Sequence, residues 1–184
     1  MDYIKNNLIA LSALIVSIES LLISLKNYLK SIVKLKISYN INNSYSLGFY
    51  WYEPYKLLIV DLAIENNSTS AADISFITLI DGNSSYLASK IELSDRHNSN
   101  GITLINDDDN LYLPIDISTK NILNNPRVSS YGFLNGFAVF QNIEPLEAPR
   151  YYKIIVKTPS KSFKKKIKIN PLNYKFQPIH PLEI

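Results

Sequence analysis

The chain has 184 residues, 46% of them hydrophobic and 19% charged, with a net charge of +3 and no cysteine. This composition provides for one packed domain with an extra element and excludes global disorder. The lack of cysteine excludes disulfides, thiolate chemistry and Cys-ligated zinc.

The first element in the chain is an apolar helix. From Asn6 to Leu25 the only charge is Glu19, and eleven of the twenty residues are Leu, Ile or Val. Twenty helical residues span about 30 Å, the thickness of a hydrocarbon core. On an insertion scale the aliphatic residues contribute about −5 kcal/mol, against roughly +2.5 to +3.5 kcal/mol for one central charge. Insertion is therefore expected even with Glu19 ionised.

A second pattern lies in the same residues. Leu8, Leu11, Ile15, Ile18, Leu22, Leu25 and Leu29 alternate in steps of three and four, which is an a/d heptad seam. Glu19 and Lys26 fall at e positions. However, Leu14 and Leu21 fall at g, and Ile9, Val16 and Ile23 fall at b, where a soluble dimer would leave them wet. The opposite side carries Ala10, Ala13, Ser17, Ser20 and Ser24, small residues of the kind that pack closely between membrane helices. The expectation is a single transmembrane span, with a soluble oligomeric coil as the alternative. The apolar run is long for a signal peptide, and no small-x-small cleavage pattern follows it before Lys26.

Lys26, Lys30, Lys34 and Lys36 follow the span, whereas Lys5 stands before it beside Asp2. The positive-inside rule then places the C-terminal domain in the cytoplasm, at the cell membrane.

After Val33 the period changes from helical to alternating. Short strand patterns occur in KLKISYNI, KLLIVDLAIEN, DISFITLI, SYLASKIEL, GITLI, LYLPIDIS and YGFLNGFAVFQN. Loops follow at NNSTS and at DGNSS, where Asp81-Gly82 suits a turn. YYKIIVK and FKKKIKI flank TPSKS as a hairpin. The predicted fold is mainly β, one N-terminal α-helix followed by an antiparallel immunoglobulin-like β-sandwich. Its expected limits are residues 1–32 for the helix, 33–170 for the sandwich and 171–184 for an extended Pro-containing tail.

An N-terminal span, a Lys-rich neck, then LIVDLAIENNSTSAADISFITL and YLPIDIS together resemble a group of small, poorly characterised membrane-anchored β-sandwich proteins of low-GC bacteria and their mobile elements. Asn66, Asn67, Ser68, Ile74, Ile77, Pro114 and Ile115 carry the match. The abundance of Asn, Ile, Lys, Ser and Tyr suits an AT-rich genome of that kind. The resemblance implies a membrane-tethered sandwich and supplies no activity.

The search for chemistry returns little. His97 lies in a polar loop and His180 between prolines, without the companion ligands that zinc needs. Asn106–Asn110 is acidic but lacks the Gly and distal Glu of a calcium loop. Ser31-x-x-Lys34 and Ser162-x-x-Lys165 lack companion motifs. No phosphate loop, nucleophile elbow or dinucleotide fingerprint is present. Neither an enzyme nor a cofactor, metal or small-molecule substrate is expected.

Two stretches invite recognition instead. SYSLGFYWYEPYK concentrates aromatics; inward packing of one strand side, with tyrosines covering an edge, is the first expectation, and Tyr50, Trp51, Tyr52 and Tyr55 are the candidate partner surface that comes next. From Arg150 onward there are nine basic residues and one acid, against five basic and thirteen acidic residues from Ile37 to Pro149. Lys164, Lys165 and Lys166, with Lys26, Lys30 and Lys34, are candidate contacts for anionic lipid. For the C-terminal lysines, protection of an edge strand is the first expectation and lipid contact comes next. Nucleic acid is not expected, because arginines and interleaved aromatics are lacking. The expected function is a non-enzymatic, membrane-anchored protein-interaction module. The alternative is a soluble assembly protein, for instance a phage or mobile-element component, held by an N-terminal coil.

Overall fold

The computed structural model describes residues 2–49, 52–106, 110–179 and 182, with side chains for all of these except residues 2–6, 49 and 52–54. Helix α1 spans Asp2–Ser31. It is followed by β1 (Leu35–Phe49), β2 (Tyr52–Asn66), β3 (Ala72–Asp73), β4 (Phe76–Asp81), β5 (Ser84–Ser89) and β6 (Ile102–Asn106). Then come β7 (Leu111–Ile115), a 3-10 turn (Ile122–Asn124), β8 (Arg127–Val128), β9 (Phe133–Gln141), β10 (Arg150–Lys157), β11 (Ser162–Ile169) and β12 (Gln177–Pro178). The protein is mainly β, antiparallel throughout its sheets, with one N-terminal helix.

The main sheet has seven strands in the order β1-β2-β9-β5-β4-β10-β11. It curls until it is nearly barrel-shaped. Its first and last strands approach one another, and the Lys168 backbone N–H donates to the Tyr39 hydroxyl at 3.1 Å. The sequence pattern anticipates two facing sheets. Here one large sheet wraps around its own core, and a smaller one, β12-β6-β7, covers part of its outer surface.

Strand β2 explains both layers. Leu57, Leu58, Ile59 and Val60 are all fully buried. Alternate side chains of a strand point to opposite faces, so such a run needs cover on both sides. Leu58, Val60, Leu62 and Ile64 face the interior of the curled sheet, with Ile77, Leu79, Phe140, Ile154, Val156 and Ile167. Leu57 and Ile59 face outward into a second cluster with Ile102, Leu104, Ile115, Ile117 and Val139.

A bulge in β1 matches this division. Asn40 pairs with Asp61 and Tyr45 with Ile59, so residues 41–44 oppose Val60 alone. Three extra residues reverse which parity faces inward. Ile37 and Tyr39 therefore pack on the inner core, whereas Tyr45 and Leu47 pack on the outer one. The Ser44 hydroxyl ties the bulge: it donates to the Asn40 carbonyl at 2.7 Å and accepts from the Asp61 N–H at 3.2 Å.

Turn chemistry fixes the hairpins. Asp81 pairs with Ser84 across Gly82-Asn83. Gly82 has a φ of 55°, the positive value that the first central residue of a II′ turn requires. Lys157 pairs with Ser162 across Thr158–Lys161. There the Thr158 hydroxyl accepts from the Lys161 N–H at 3.1 Å. Gly136 lies beneath the 3-10 turn, where a Cβ would stand 2.6 Å from the Lys120 carbonyl oxygen. Only glycine permits that approach.

The motif residues Asn66 and Ser68 are fully buried. The Asn66 amide donates to the carbonyls of Ser70 at 2.8 Å and Ser129 at 3.0 Å, and its oxygen accepts from the Ser68 hydroxyl at 2.6 Å. Their role is to lock the loop after β2. The described residues of the C-terminal segment lie on the domain. Leu172 and Phe176 pack on the outer cluster, β12 pairs with β6, and Ile179 is buried.

Because β2 is covered on both faces, Leu57→Ala and Leu58→Ala are each expected to cost about 2–5 kcal/mol in denaturant unfolding. Glu65→Ala, which removes a 3.5 Å ion pair between Lys36 and an exposed glutamate, is expected to cost under about 1 kcal/mol. A strand with one wet face would instead make one of the two leucine changes nearly neutral.

Candidate functional site

Four regions are candidates: helix α1, the aromatic hairpin of β1 and β2, the basic hairpin of β10 and β11, and a cleft beside the β1 bulge.

Residues Asn7–Ser31 of α1 are long and apolar enough to cross a membrane, and none of this segment's most apolar window is buried inside the protein. Leu8, Leu11, Ile15, Ile18, Leu22, Leu25 and Leu29 are 49–60% exposed. The flanking Ile9, Leu14, Val16, Leu21 and Ile23 are 57–68% exposed, so the whole circumference is open. Three serines on the helix turn their hydroxyls back to it. Ser12 donates to the Ile9 carbonyl, Ser17 to Ala13 and Ser31 to Tyr28, each at 2.8 Å. A hydroxyl satisfied in this way enters an apolar medium without a stranded donor.

The junction between helix and domain is short and tied. The Asn67 N–H donates to the Lys34 carbonyl at 2.8 Å, and the Thr69 N–H to the Lys30 carbonyl at 3.0 Å. Lys26, Lys30 and Lys34 are all exposed around it.

The antiparallel order fixes which ends of the strands share this junction. β1 leaves it, β2 returns to it, and alternation around the sheet makes β11 leave it again. The β10–β11 turn therefore lies at the helix end. Lys164 and Lys166 there are exposed on the outward face; Lys165 lies on the inward row opposite Ile154 but is also exposed. Tyr131 and Phe133, 65% and 74% exposed, belong to the same end, because Phe133 pairs with Glu65 beside Lys36. Sequence reasoning missed this pair. Their signal is the Tyr131-Gly132-Phe133 start of β9, where Phe133 shares the parity of the exposed Asn135.

The aromatic stretch divides. Tyr50 and Trp51 lie outside the described residues, and Tyr52 is placed in β2 without its side chain. Tyr55 is only 8% exposed and packs in the outer cluster with Leu57 and Leu47. It is thus a core side chain and no part of an open surface, which corrects the expectation for that residue. Its parity with Leu57 and Ile59 gives the reason.

A cleft of about 390 Å3 opens beside the β1 bulge, between Ile41 and Tyr45 on one side and Leu113, Leu172 and Phe176 on the other. Asn42, Asn170 and Asn173 supply amides along it. Burial raises the Tyr45 pKa above 10.0, and the Asp61 carboxylate adds to the rise. The lining thus combines amides with apolar side chains.

Asp95, which is buried, accepts from the N–H groups of His97 at 2.7 Å and Asn98 at 2.8 Å and from the Thr103 hydroxyl at 3.2 Å. It organises the His97 loop. His97 itself is exposed and stacks 4.9 Å from Tyr112. Among the described residues no group of three His, Asp or Glu is placed to hold a metal ion. Asp107, Asp108, Asp109 and His180 lie outside the described residues.

No family model, curated protein or solved structure matches the chain. The functional reading therefore rests on these geometries alone.

Two tyrosines report on alkaline pH. Burial raises the Tyr152 pKa as well, with the Asp81 carboxylate adding and Arg150 opposing. Both phenols stay neutral in the fold after the unfolded chain has begun to ionise. Their contribution is whole below pH 10.0 and is lost as pH rises through the folded values. Replacing both by Phe is expected to flatten the loss of stability above pH 10.0, read by unfolding at several pH values. The buried Tyr152 hydroxyl has no hydrogen-bond partner among the described residues, so Tyr152→Phe is expected to be neutral or slightly stabilising at neutral pH.

Proposed function

We propose that this chain is a non-enzymatic, membrane-anchored protein-interaction module. α1 is the single span, and the β domain stands in the cytoplasm at the cell membrane. The observation that carries this reading is the apolar surface of α1, open around its whole circumference and ending in a collar of lysines. The positive collar favours the cytoplasmic side for the domain.

The scaffold for partner contact is sandwich-like where the three-stranded sheet lies on the outer faces of β1, β2 and β9. The cleft beside the β1 bulge is the proposed recognition surface, and a protein segment is the proposed ligand. Asparagine amides can pair with the backbone of an extended chain while Leu113, Leu172 and Phe176 take alternate side chains. Tyr52, and with it Tyr50 and Trp51 outside the described residues, remain proposed additions to that surface.

A soluble assembly protein is the second reading, favoured by one observation. The a/d seam is unbroken from Leu8 to Leu29, and its residues are all exposed for a partner copy. On this reading the seam holds several copies together in water, as in a phage or mobile-element component.

Full-length protein expressed in cells is expected to stay with the membrane pellet after an alkaline carbonate wash and to leave it only in detergent. Release by carbonate would remove the span. The second reading expects a detergent-free oligomer that Ile15→Asn with Leu22→Asn disperses in sedimentation.

A further inference from the structure

The outward face of β10 and β11 is a field of lysines with no carboxylate opposite. Register sets Lys166 across from Lys153, Lys164 across from Ile155 and Ser162 across from Lys157, with Lys168 across from Tyr151. β4 continues the same face with Phe76, Thr78 and Ile80, and β5 with Ser85 and Leu87. None of these positions is acidic. Among the described residues, Lys153, Lys157, Lys164, Lys166 and Lys168 form no ion pair, as is also true of Lys26, Lys30, Lys34 and Lys90.

Edge protection does not account for this arrangement. Lysines guard a strand that could pair with another chain. Lys153 and Lys157 are on β10, which is paired on both sides. The free side of β11 is itself approached by β1, through Tyr39. Moreover, like charges directly opposite, such as Lys153 and Lys166, disfavour the sheet. A fold that keeps them there gains something from an anion.

Position identifies the anion's source. The β10–β11 turn lies at the end of the sheet where α1 departs. Three residues, Ile32–Lys34, separate helix from strand, and a chain that short reaches about 10 Å. The hydrogen bonds from Asn67 and Thr69 shorten the tether further. A domain held so close meets the headgroups at a high effective concentration. Two of the amines are held low on the face by rings, Lys157 over Phe76 at 4.9 Å and Lys166 over Tyr151 at 4.5 Å. Tyr131 and Phe133 extend the same end with exposed rings of the kind that settle at a bilayer interface. The face has no arginine and its rings are covered by lysines, which suits diffuse phosphate contact rather than stacking on bases.

We infer that this face is a second membrane contact: Lys153, Lys157, Lys164 and Lys166 take the phosphate groups of anionic lipids in the leaflet from which α1 emerges, so the domain lies against the bilayer. The inference rests on the span proposed above, and its test separates the two. Full-length protein is reconstituted in nanodiscs of phosphatidylcholine alone or with about 30% phosphatidylglycerol, and lysine acylation by a soluble amine reagent is read by mass spectrometry. Entry of the chain into discs reports the span. At about 0.1 M salt the four lysines are expected to react roughly fivefold more slowly in the anionic discs, with Lys90 and Lys120 unchanged, and to recover at about 0.5 M salt. Lys164→Glu with Lys166→Glu, both at exposed sites, is expected to abolish the protection left at Lys153 and Lys157. Equal rates in both discs would overturn the inference and leave the span standing. So would protection in phosphatidylcholine discs that appears only on adding RNA or an acidic protein. A chain that does not enter the discs would overturn both.

Discussion

Twelve Leu, Ile and Val side chains of α1, each 49–68% exposed, are spread around a helix whose most apolar window is not buried against its own domain. Removing each fully from water is worth about 1.5–3 kcal/mol, so covering their exposed halves is worth on the order of 10 kcal/mol. That equals the whole stability of an ordinary domain, about 5–15 kcal/mol. Among the described residues α1 is the one helix long and apolar enough to cross a membrane. Whatever covers α1 therefore decides where the β domain resides and which of its surfaces stay open.

The domain solves a different problem. Its apolar residues are enough for two cores, and β2 is the wall between them. Leu58 and Val60 close the inside of the curled sheet while Leu57 and Ile59 support the smaller sheet outside. The β1 bulge makes this possible, since three extra residues send Ile37 and Leu47 to opposite cores despite their equal parity. The smaller sheet covers only the half of the outer face that is far from α1. Near the helix that face stays open around Ser38, Ala63, Glu65 and Asn135. Thus the packed outer layer and the cleft beside it belong to one half of the domain, and the exposed rings and the basic hairpin turn to the other.

Local signals in the sequence carried the elements well. The heptad spacing marked α1, alternation and Asp81-Gly82 marked the β4–β5 hairpin, and the two runs flanking TPSKS marked β10 and β11. Closure of the sheet was not legible, because it depends on the meeting of Tyr39 and Lys168, 129 residues apart. The burial of Tyr55 was partly legible, since it shares parity with Leu57 and Ile59, but which parity faces a second core depends on β6 and β7 arriving from later in the chain. The lysines of β11 were visible as a run. Their joining with Lys153 and Lys157 into one face required the register, and their place at the helix end required the strand order.

The natural absence of cysteine makes the central claim directly measurable. A single Ser17→Cys change puts a thiol on the side of α1 away from the heptad seam, where a soluble coil leaves it wet and a span leaves it in hydrocarbon. Ser160→Cys, on the exposed β10–β11 turn, serves as the reference. In opened membrane vesicles without detergent, a charged maleimide should label the Ser160→Cys protein readily and leave the Ser17→Cys protein unmodified. Equal labelling of the two would contradict the account.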